Sequence, residues 1–284
     1  MKGMFYKCTL LALLAFMLGC SNQQTKSSSS VVDYLYPKGT NEIVQPSIPT
    51  LKLPLKVGIA FVPDSSTEQR GINQWSSNVG GGPDLSAKTK NELLQEVANN
   101  FNKLNFINKV EIIPTEYLTK GGSFGNLEQI RTMYDIDVIA LVSYDQVQFT
   151  DGSFLSLTYW TIVGAYVVAG EKNDTSTMLD TVVYDIASRK MLFRAPGTSV
   201  VKGRATPINL TEELRIDSNK GFHLAAKEMT ANLQTQLSMF KEKIKNNPSE
   251  VKIEHRDGYS AGGSFDFYAI LFLLFAGVFL RKKI

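Results

Sequence analysis

Thiols and imidazoles are scarce in this 284-residue chain, and their scarcity limits the chemistry that it can perform. Its two cysteines, Cys8 and Cys20, both precede residue 21. The rest of the chain therefore has no thiol for a disulfide, a cysteine nucleophile or a cysteine metal site. With only two histidines, His223 and His255, most metal sites built from histidine clusters are excluded as well.

An excess of charge of one sign is also missing from the body of the chain. The net charge of +3 arises at the ends, at Lys2 and Lys7 and at Arg281, Lys282 and Lys283 beside Asp266. Residues 20–263 carry a net charge of −1. Because nucleic-acid binding needs a field that attracts phosphate, this balance argues against it. An apolar fraction of 43% excludes a disordered chain and allows one sizeable folded domain.

The N-terminal residues have the pattern of a secretion signal. Lys2 and Lys7 precede the apolar stretch Leu10–Leu18, and Gly19 and Cys20 follow it. That stretch is too short to span a bilayer as a permanent helix. We therefore expect residues 1–19 to be a signal peptide.

Leu18-Gly19-Cys20 resembles the lipobox of bacterial lipoproteins. The resemblance implies diacylglycerol on the Cys20 thiol, cleavage before Cys20 by lipoprotein signal peptidase, and acylation of the new N-terminus by acyltransferases. Ser21 after the cysteine implies, by that family's sorting rule, delivery to the outer membrane. Two or three acyl chains, palmitate among them, give stable anchoring where one is marginal. The alternative is an ordinary signal peptide that ends in cysteine.

The C-terminal residues form a second membrane-directed pattern. Gly262, Gly263 and Ser264 precede the 14-residue apolar run Phe267–Leu280, which Arg281-Lys282-Lys283 closes. As a helix, this run would be about 21 Å long, short of the roughly 30 Å hydrocarbon core. Basic residues beside an apolar run stay on the cytoplasmic side. We therefore expect a precursor that spans the inner membrane with its C-terminus in the cytoplasm.

This tail resembles the GlyGly-CTERM sorting tail. The resemblance implies cleavage near Gly262, Gly263 and Ser264 by rhombosortase, a rhomboid-type intramembrane protease. Helix-breaking glycines suit such a protease because its substrate must unwind to reach the active site. A permanent C-terminal anchor is the alternative. Together, lipobox and tail resemble the rhombotarget lipoproteins, in which cleavage would leave the lipid as the only anchor.

Between the ends, the sequence predicts a tether, one domain and a linker. Residues 20–54 are rich in serine and proline, a composition that buries little and is typical of a tether. The apolar patch 31–36 within it favours docking onto the domain over a free binding motif. Residues 55–247 are expected to be the domain, 248–261 the linker and 262–284 the sorting tail.

The domain is predicted to be α/β. Strand patterns occur at Leu55–Val62, Val110–Ile113, Asp137–Phe149, Leu155–Ala169, Thr177–Ile186 and Lys190–Arg194. Apolar stripes at helical spacing begin at Leu93, Leu127 and Phe222, and the last continues to Ile244. These patterns predict a mixed sheet in the order β-α-β-α-β, followed by an antiparallel meander and a long C-terminal helix.

This order resembles the small periplasmic lipoprotein domains of the curli-secretion and penicillin-binding-protein-activator type. In those domains, Thr181–Asp185 and Ser188–Leu192 would correspond to a strand, a tight turn and a second strand. The resemblance implies a regulator or scaffold of a cell-wall synthase as one alternative function. A shared fold does not by itself carry function.

Candidate catalytic patterns are weak. Gly80-Gly81-Gly82 and Gly121–Gly125 lack the remaining residues of phosphate and dinucleotide loops, so turns are favoured. Ser199-Val200-Val201-Lys202 matches the Ser-x-x-Lys pattern, but Ser-Asp-Asn and Lys-Thr-Gly do not occur in the chain. No nucleophile or orienting carboxylate can be assigned to His223, so a packed or solvated side chain is favoured over a general base. His255 is expected to be exposed in the linker.

For two further groups of residues, a structural role is favoured over a functional one. Four aspartates lack the spacing of a calcium loop; they are Asp135, Asp137, Asp145 and Asp151. Trp160, with Tyr159 and Tyr166, predicts an aromatic strand, for which core packing is favoured over a partner or glycan surface.

The sequence thus predicts an outer-membrane lipoprotein that is not an enzyme, with no cofactor and no metal. Its body would be an interaction domain, in the periplasm or on the surface, for an unidentified envelope protein. Its expected direct partner is the rhombosortase. The alternatives are an accessory role in the pathway of that protease, the cell-wall role above and, least favoured, an enzyme that uses His223.

Overall fold

The structure, a computed structural model, describes residues 22–38, 47–70, 85–152, 171–205 and 209–257. The strands are β1 (Asn22–Ser29), β2 (Thr50–Leu53), β3 (Leu55–Phe61), β4 (Asp64–Arg70), β5 (Ile107–Ile112), β6 (Val138–Gly152), β7 (Glu171–Asp185), β8 (Lys190–Ala205) and β9 (Lys252–His255). The α-helices are α1 (Val31–Leu35), α2 (Ala87–Phe101), α3 (Ser123–Tyr134) and α4 (Leu210–Asn246), and Thr115–Tyr117 form a 3₁₀ turn.

Seven of the described strands form one mixed sheet around the long strand β6. On one side, β6 pairs antiparallel with β7 along its whole length, and β7 pairs antiparallel with β8. On the other side, its first half pairs in parallel with β3 and its second half antiparallel with β1. β5 flanks β3 and β4 flanks β1, while β2 and β9 form a separate parallel pair.

The two halves of β6 differ in what covers them. Residues Val138–Val142 are buried on both faces, as continuous apolar runs in a central strand require. One face packs against α2 and α4, and the opposite face packs against α1 and α3. In the second half, buried Gln146 and Gln148 alternate with less buried residues such as the exposed Phe149. Within the described ranges, helices therefore cover both faces of the sheet only at the end where β6 begins.

Polar side chains line the sheet beneath the first half of α4. The Gln146 amide donates to Thr177 Oγ1 at 2.8 Å, and the Ser218 hydroxyl donates to Gln146 Oε1 at 2.7 Å. The Gln148 amide likewise donates to Thr175 Oγ1 at 3.0 Å and to the carbonyl of Leu214 at 2.8 Å. From Phe222 onward, α4 instead packs through the predicted apolar stripe. The prediction of a long C-terminal helix is confirmed.

Residues 22–29, predicted as tether, instead form β1 inside the sheet. This strand has few apolar residues, but its backbone is paired on both sides and Ser27 and Ser29 turn into the interior. The patch 31–36 docks onto the domain as expected. It contains helix α1, whose Tyr34 and Leu35 side chains are buried against α3. At the other end, part of the predicted linker forms β9, and Val251 is buried.

The predicted α/β class, with a mixed sheet and a long final helix, is confirmed, but the β-α-β-α-β order is wrong. Most strand pairs are antiparallel, because β1 and β4 extend the sheet in that sense. β4 lies in a polar stretch for which the sequence predicts no strand. Its residues pair with an equally polar strand and so lack an apolar signal. The hairpin of β7 and β8 agrees with the prediction. The predicted strand Leu155–Ala169 lies outside the described residues.

A buried carboxylate on α4 gives a test of this packing. Asp217 is 7% exposed, and its Oδ2 atom has no hydrogen-bond partner among the described residues. Burial raises the pKa of Asp217; the neighbouring Glu213 raises it further, and Lys220 lowers it. The folded chain thus retains a proton that the unfolded chain releases above the ordinary carboxyl pKa of about 3.9. The contribution of Asp217 to the free energy of unfolding therefore falls as pH rises through the raised pKa of its folded state.

We expect Asp217→Asn, which removes the charge and keeps the shape, to stabilise the protein by about 1–2 kcal/mol at pH 7. The melting temperature would rise by about 2–8 °C, and the gain would vanish below about pH 4. Thermal denaturation across this pH range measures it, with the exposed Asp174→Asn as the control. A melting temperature lowered by Asp217→Asn at pH 7 would contradict the expectation.

Candidate functional site

The residues predicted for membrane attachment lie outside the described part of the chain. This applies to Cys20 and to Gly262, Gly263 and Ser264, so lipidation and tail cleavage stay predictions. Gly80-Gly81-Gly82 and the aromatic residues around Trp160 lie outside it as well. Within the described ranges, no helix has the length and apolarity needed to cross a membrane.

His223 lies on the exposed side of α4. Its Nδ1 is 3.7 Å from Oε2 of Glu96 on α2, and both side chains are about half exposed, at 50% and 52%. A contact of this length between solvated groups contributes little to stability. Of the two environments that the sequence favours for His223, packed or solvated, the structure has the solvated one. His255 is also exposed, but on β9 and not in a linker.

The Ser-x-x-Lys pattern lies on strand β8, where side chains alternate between the two faces. Ser199 turns inward and its hydroxyl donates to the carbonyl of Gly221 on α4 at 2.7 Å. Lys202 lies on the opposite face and is exposed. The two side chains therefore cannot act together, which agrees with the rejection of this motif.

The four aspartates do not converge. Asp135 and Asp137 both contact Lys56, whose ammonium pairs with Asp135 and whose backbone N–H donates to Asp137 at 3.4 Å. Asp137 also pairs with Arg256, whereas Asp145 pairs with Lys26 in the second half of β6. Asp151 lies at the end of β6, opposite Asn22. Among the described residues, no three acidic, histidine or cysteine side chains are grouped so that they could hold a metal ion. Gly121 has φ = +64°, so it occupies the turn that the sequence predicts.

An ion pair between a buried lysine and a partly exposed aspartate was not predicted from the sequence. The ammonium of Lys90, on α2, donates to both carboxylate oxygens of Asp64 at 2.8 and 3.0 Å, and the Tyr144 hydroxyl donates to Oδ1 of Asp64 at 3.0 Å. Lys90 is only 8% exposed. The sequence does carry a signal for it, because Lys90 lies three residues before Leu93, in line with the apolar stripe of α2. With both charges paired, the cluster serves to join α2 to the sheet.

The described residues also enclose an apolar cavity between the sheet and the helices α2 and α4. Its volume is about 80 Å³, and every side chain that lines it is apolar. Val57 and Ala140 form part of its floor, and Val97 and Leu233 part of its helical walls. Such a cavity offers no group that could transfer a proton or orient a polar substrate. Its lining suits a small apolar guest.

Partly exposed aromatic residues form the rim of this cavity. The rings of Phe193 and Phe240 have centroids 5.4 Å apart, and the ammonium of Lys241 lies 4.0 Å from the ring centroid of Phe106. Phe101, at the end of α2, is also partly exposed. The cavity therefore opens between the end of α2 and the second half of α4. It lies at the end of the sheet where β3 and β6 begin.

We expect xenon to bind in this cavity, because apolar cavities in proteins stay dry and bind xenon or small hydrocarbons. Ala140→Val would fill the space, abolish the binding and stabilise the protein by about 0.5–2 kcal/mol. Xenon-induced chemical-shift changes and thermal denaturation measure the two effects. The control is Ala187→Val, on the exposed turn between β7 and β8. Unchanged xenon shifts in Ala140→Val would show that the gas binds elsewhere.

No family model matches the chain, and no curated protein matches it either. Among solved structures, it is similar to a putative neuraminyllactose-binding hemagglutinin homolog from Helicobacter pylori, with 9% identity and a TM-score of 0.31, over 75% of this chain and 97% of that one. It is also similar to protein XCC0632 from Xanthomonas campestris, described with family model DUF330, with 8% identity and a TM-score of 0.23, over 69% and 99% of the two chains. At these values, neither likeness carries an argument.

Proposed function

We propose that this protein is a bacterial envelope lipoprotein whose sorting tail is removed by a rhombosortase. Its folded body would be a non-catalytic interaction domain, held in the outer membrane by acyl chains on Cys20. The observation that carries the proposal is the pairing of Leu18-Gly19-Cys20, after a basic and apolar leader, with Gly262-Gly263-Ser264 before a short apolar run and a basic end.

The two termini together give tail removal a physical reason. A chain whose apolar run Phe267–Leu280 lies in the inner membrane cannot be delivered to the outer membrane while that run remains attached. Cleavage near Gly263 removes this second anchor and leaves the lipid. The body then needs no membrane segment of its own.

Mass spectrometry of the protein purified from membranes, with and without the rhombosortase gene, tests the proposal. We expect acylated Cys20 in both strains and a C-terminus near Gly263 only where the protease is present. Cys20→Ser is expected to abolish acylation and to release the processed chain from membranes. Retention of Phe267–Ile284 in both strains would contradict tail sorting.

Deletion of the gene separates the roles that the body could play. Impaired processing of other tailed proteins would favour an accessory role in the rhombosortase pathway. Altered sensitivity to cell-wall antibiotics with normal processing would favour a regulator or scaffold of a cell-wall synthase. Hydrolysis of an envelope substrate that is lost in His223→Ala would contradict a non-catalytic body.

A further inference from the structure

Two alanines lie among the larger side chains that line the apolar cavity. Ala98 lies on α2 and Ala140 on β6, and both are buried, so the space beside them is inside the fold. A water molecule there would need two to four polar partners. Because every lining side chain is apolar, the cavity favours a hydrocarbon guest over water.

The rim of the cavity lets such a guest extend toward solvent. Phe106, Phe193 and Phe240 all line the cavity and are partly exposed, so apolar contact continues from the buried space to the surface. The volume of about 80 Å³ equals that of two or three water molecules in the liquid, at about 30 Å³ each. The buried space therefore takes the last few carbons of a chain, and the remaining carbons would lie along the three rings.

A lysine without a carboxylate partner stands at this rim. The Lys241 ammonium lies 4.0 Å from the ring centroid of Phe106, and no ion pair joins it to another described residue. Two residues further along α4, Lys243 already pairs with Glu250 at 2.7 Å. Since Phe106 itself lines the cavity, the Lys241 ammonium is held one ring away from the apolar space and can pair with a ligand.

The other charges around the rim also favour an anion. Lys103 lies in the turn that joins α2 to β5, and Lys245 lies one turn after Lys241 on α4. Both are exposed and, like Lys241, have no ion-pair partner among the described residues. The exposed Glu242 is the opposing carboxylate on this part of α4. The rim is therefore locally positive, although residues 20–263 together carry a net charge of −1.

We propose that the cavity binds a medium-chain fatty acid, with its alkyl end in the buried space and its carboxylate paired with the Lys241 ammonium. A cationic amphiphile would be repelled by this ammonium. A glycerophosphate head group is disfavoured because the lining has no polar side chain to hydrogen-bond its glycerol. The proposal concerns the folded domain alone, so it is independent of acylation at Cys20 and of tail cleavage.

Octanoate is the probe that tests the proposal. The full chain is reconstituted in phospholipid nanodiscs and dialysed to equilibrium against radiolabelled octanoate, with empty nanodiscs as the blank for partition into lipid. We expect saturable binding at one site per chain. Octanoate should also suppress the xenon-induced chemical-shift changes, because both guests occupy the same space. Hexanoate should bind more weakly, by about four-fold for each methylene removed from apolar contact.

Two variants separate the contact of the alkyl chain from the contact of the carboxylate. Ala140→Val fills the buried space and should weaken the binding of octanoate and of 1-octanol alike, by at least about ten-fold. Lys241→Gln should weaken octanoate by about two- to five-fold, the range for a solvent-exposed ion pair, and leave 1-octanol unchanged. Lys227→Gln, at an exposed lysine of the same helix, is the matched control and should change neither.

Equal octanoate binding by the parent chain and Ala140→Val would overturn the proposal. An unchanged affinity for octanoate in Lys241→Gln, or equal losses for octanoate and 1-octanol, would overturn the role of the ammonium. If Ala140→Val does not fold, competition in the parent chain decides, since octanoate that leaves the xenon shifts unchanged binds elsewhere. Tighter binding of an octanoyl lysophosphatidylglycerol than of octanoate would overturn the choice of a fatty acid.

Discussion

Phe222→Ala is expected to destabilise the protein by about 3–5 kcal/mol, the usual cost of emptying a buried phenylalanine site. Phe222 is fully buried, and its ring meets Tyr144 edge-on with centroids 5.6 Å apart. Tyr144 in turn meets Phe61 edge-on at 6.4 Å. The substitution therefore removes one end of an aromatic row that joins α4 to the sheet.

The effect can be measured as a fall of about 6–20 °C in melting temperature. Leu224→Ala is the matched control, since Leu224 lies on the same helix two residues away and is 45% exposed. It should change the unfolding free energy by less than about 0.5 kcal/mol. Equal losses from the two variants would mean that α4 does not present Phe222 to the sheet.

Gly197→Ala should lower the free energy of unfolding by about 3 kcal/mol for a different reason, because its new methyl group would overlap a helix backbone. Gly197 lies on β8 directly beneath α4. A Cβ atom there would overlap the carbonyl oxygen of Ala225 and the amide nitrogen of Met229, and would lie 2.7 Å from the Met229 Cβ. Backbone atoms cannot turn aside as a flexible side chain can, so α4 itself would have to move.

We expect the melting temperature of Gly197→Ala to fall by about 6–12 °C. Gly125→Ala is the control, for which the expected change in stability has the opposite sign. Gly125 is exposed on α3, and a Cβ there would meet only the Ser123 hydroxyl, at 3.8 Å. Alanine is favoured over glycine in a helix by about 0.5–1 kcal/mol, so this variant should be slightly stabilised. A Gly197→Ala protein as stable as the parent would show that α4 lies further from β8.

Sequence patterns predict the parts of this fold that bury apolar residues in regular order. The continuous apolar run Val138–Val142, the hairpin of β7 and β8 and the stripe that begins at Phe222 are of this kind. Sequence patterns do not predict the strands β1 and β4, because polar side chains cover the sheet beside the second half of β6, where these strands lie. A strand that buries Ser27 and packs near Gln146 has no hydrophobic period to detect.

The candidate site is less predictable for a similar reason. The apolar cavity lies between α2, α4 and the sheet, and residues such as Val57 and Leu233 have the same sequence pattern as any core position. Lys90 is an exception, since a charged residue in line with an apolar stripe indicates a buried charge that needs a partner. That partner, Asp64, lies 26 residues earlier and could not be identified without the fold. The proposed attachment signals, in contrast, are local motifs that can be found directly in the sequence.

The position of β1 also bears on the order in which the chain would fold during the export proposed above. Ser29 accepts a hydrogen bond from the backbone of Tyr144 at 3.1 Å, although the two residues are 115 positions apart. In such export the N-terminus emerges first, so β1 can pair with β4 at one edge while its other edge stays open until β6 has crossed. Pairing with β6 has a high contact order and forms slowly. An unpaired strand edge invites association with other chains, so β1 is the segment for which protection during the proposed export would matter most.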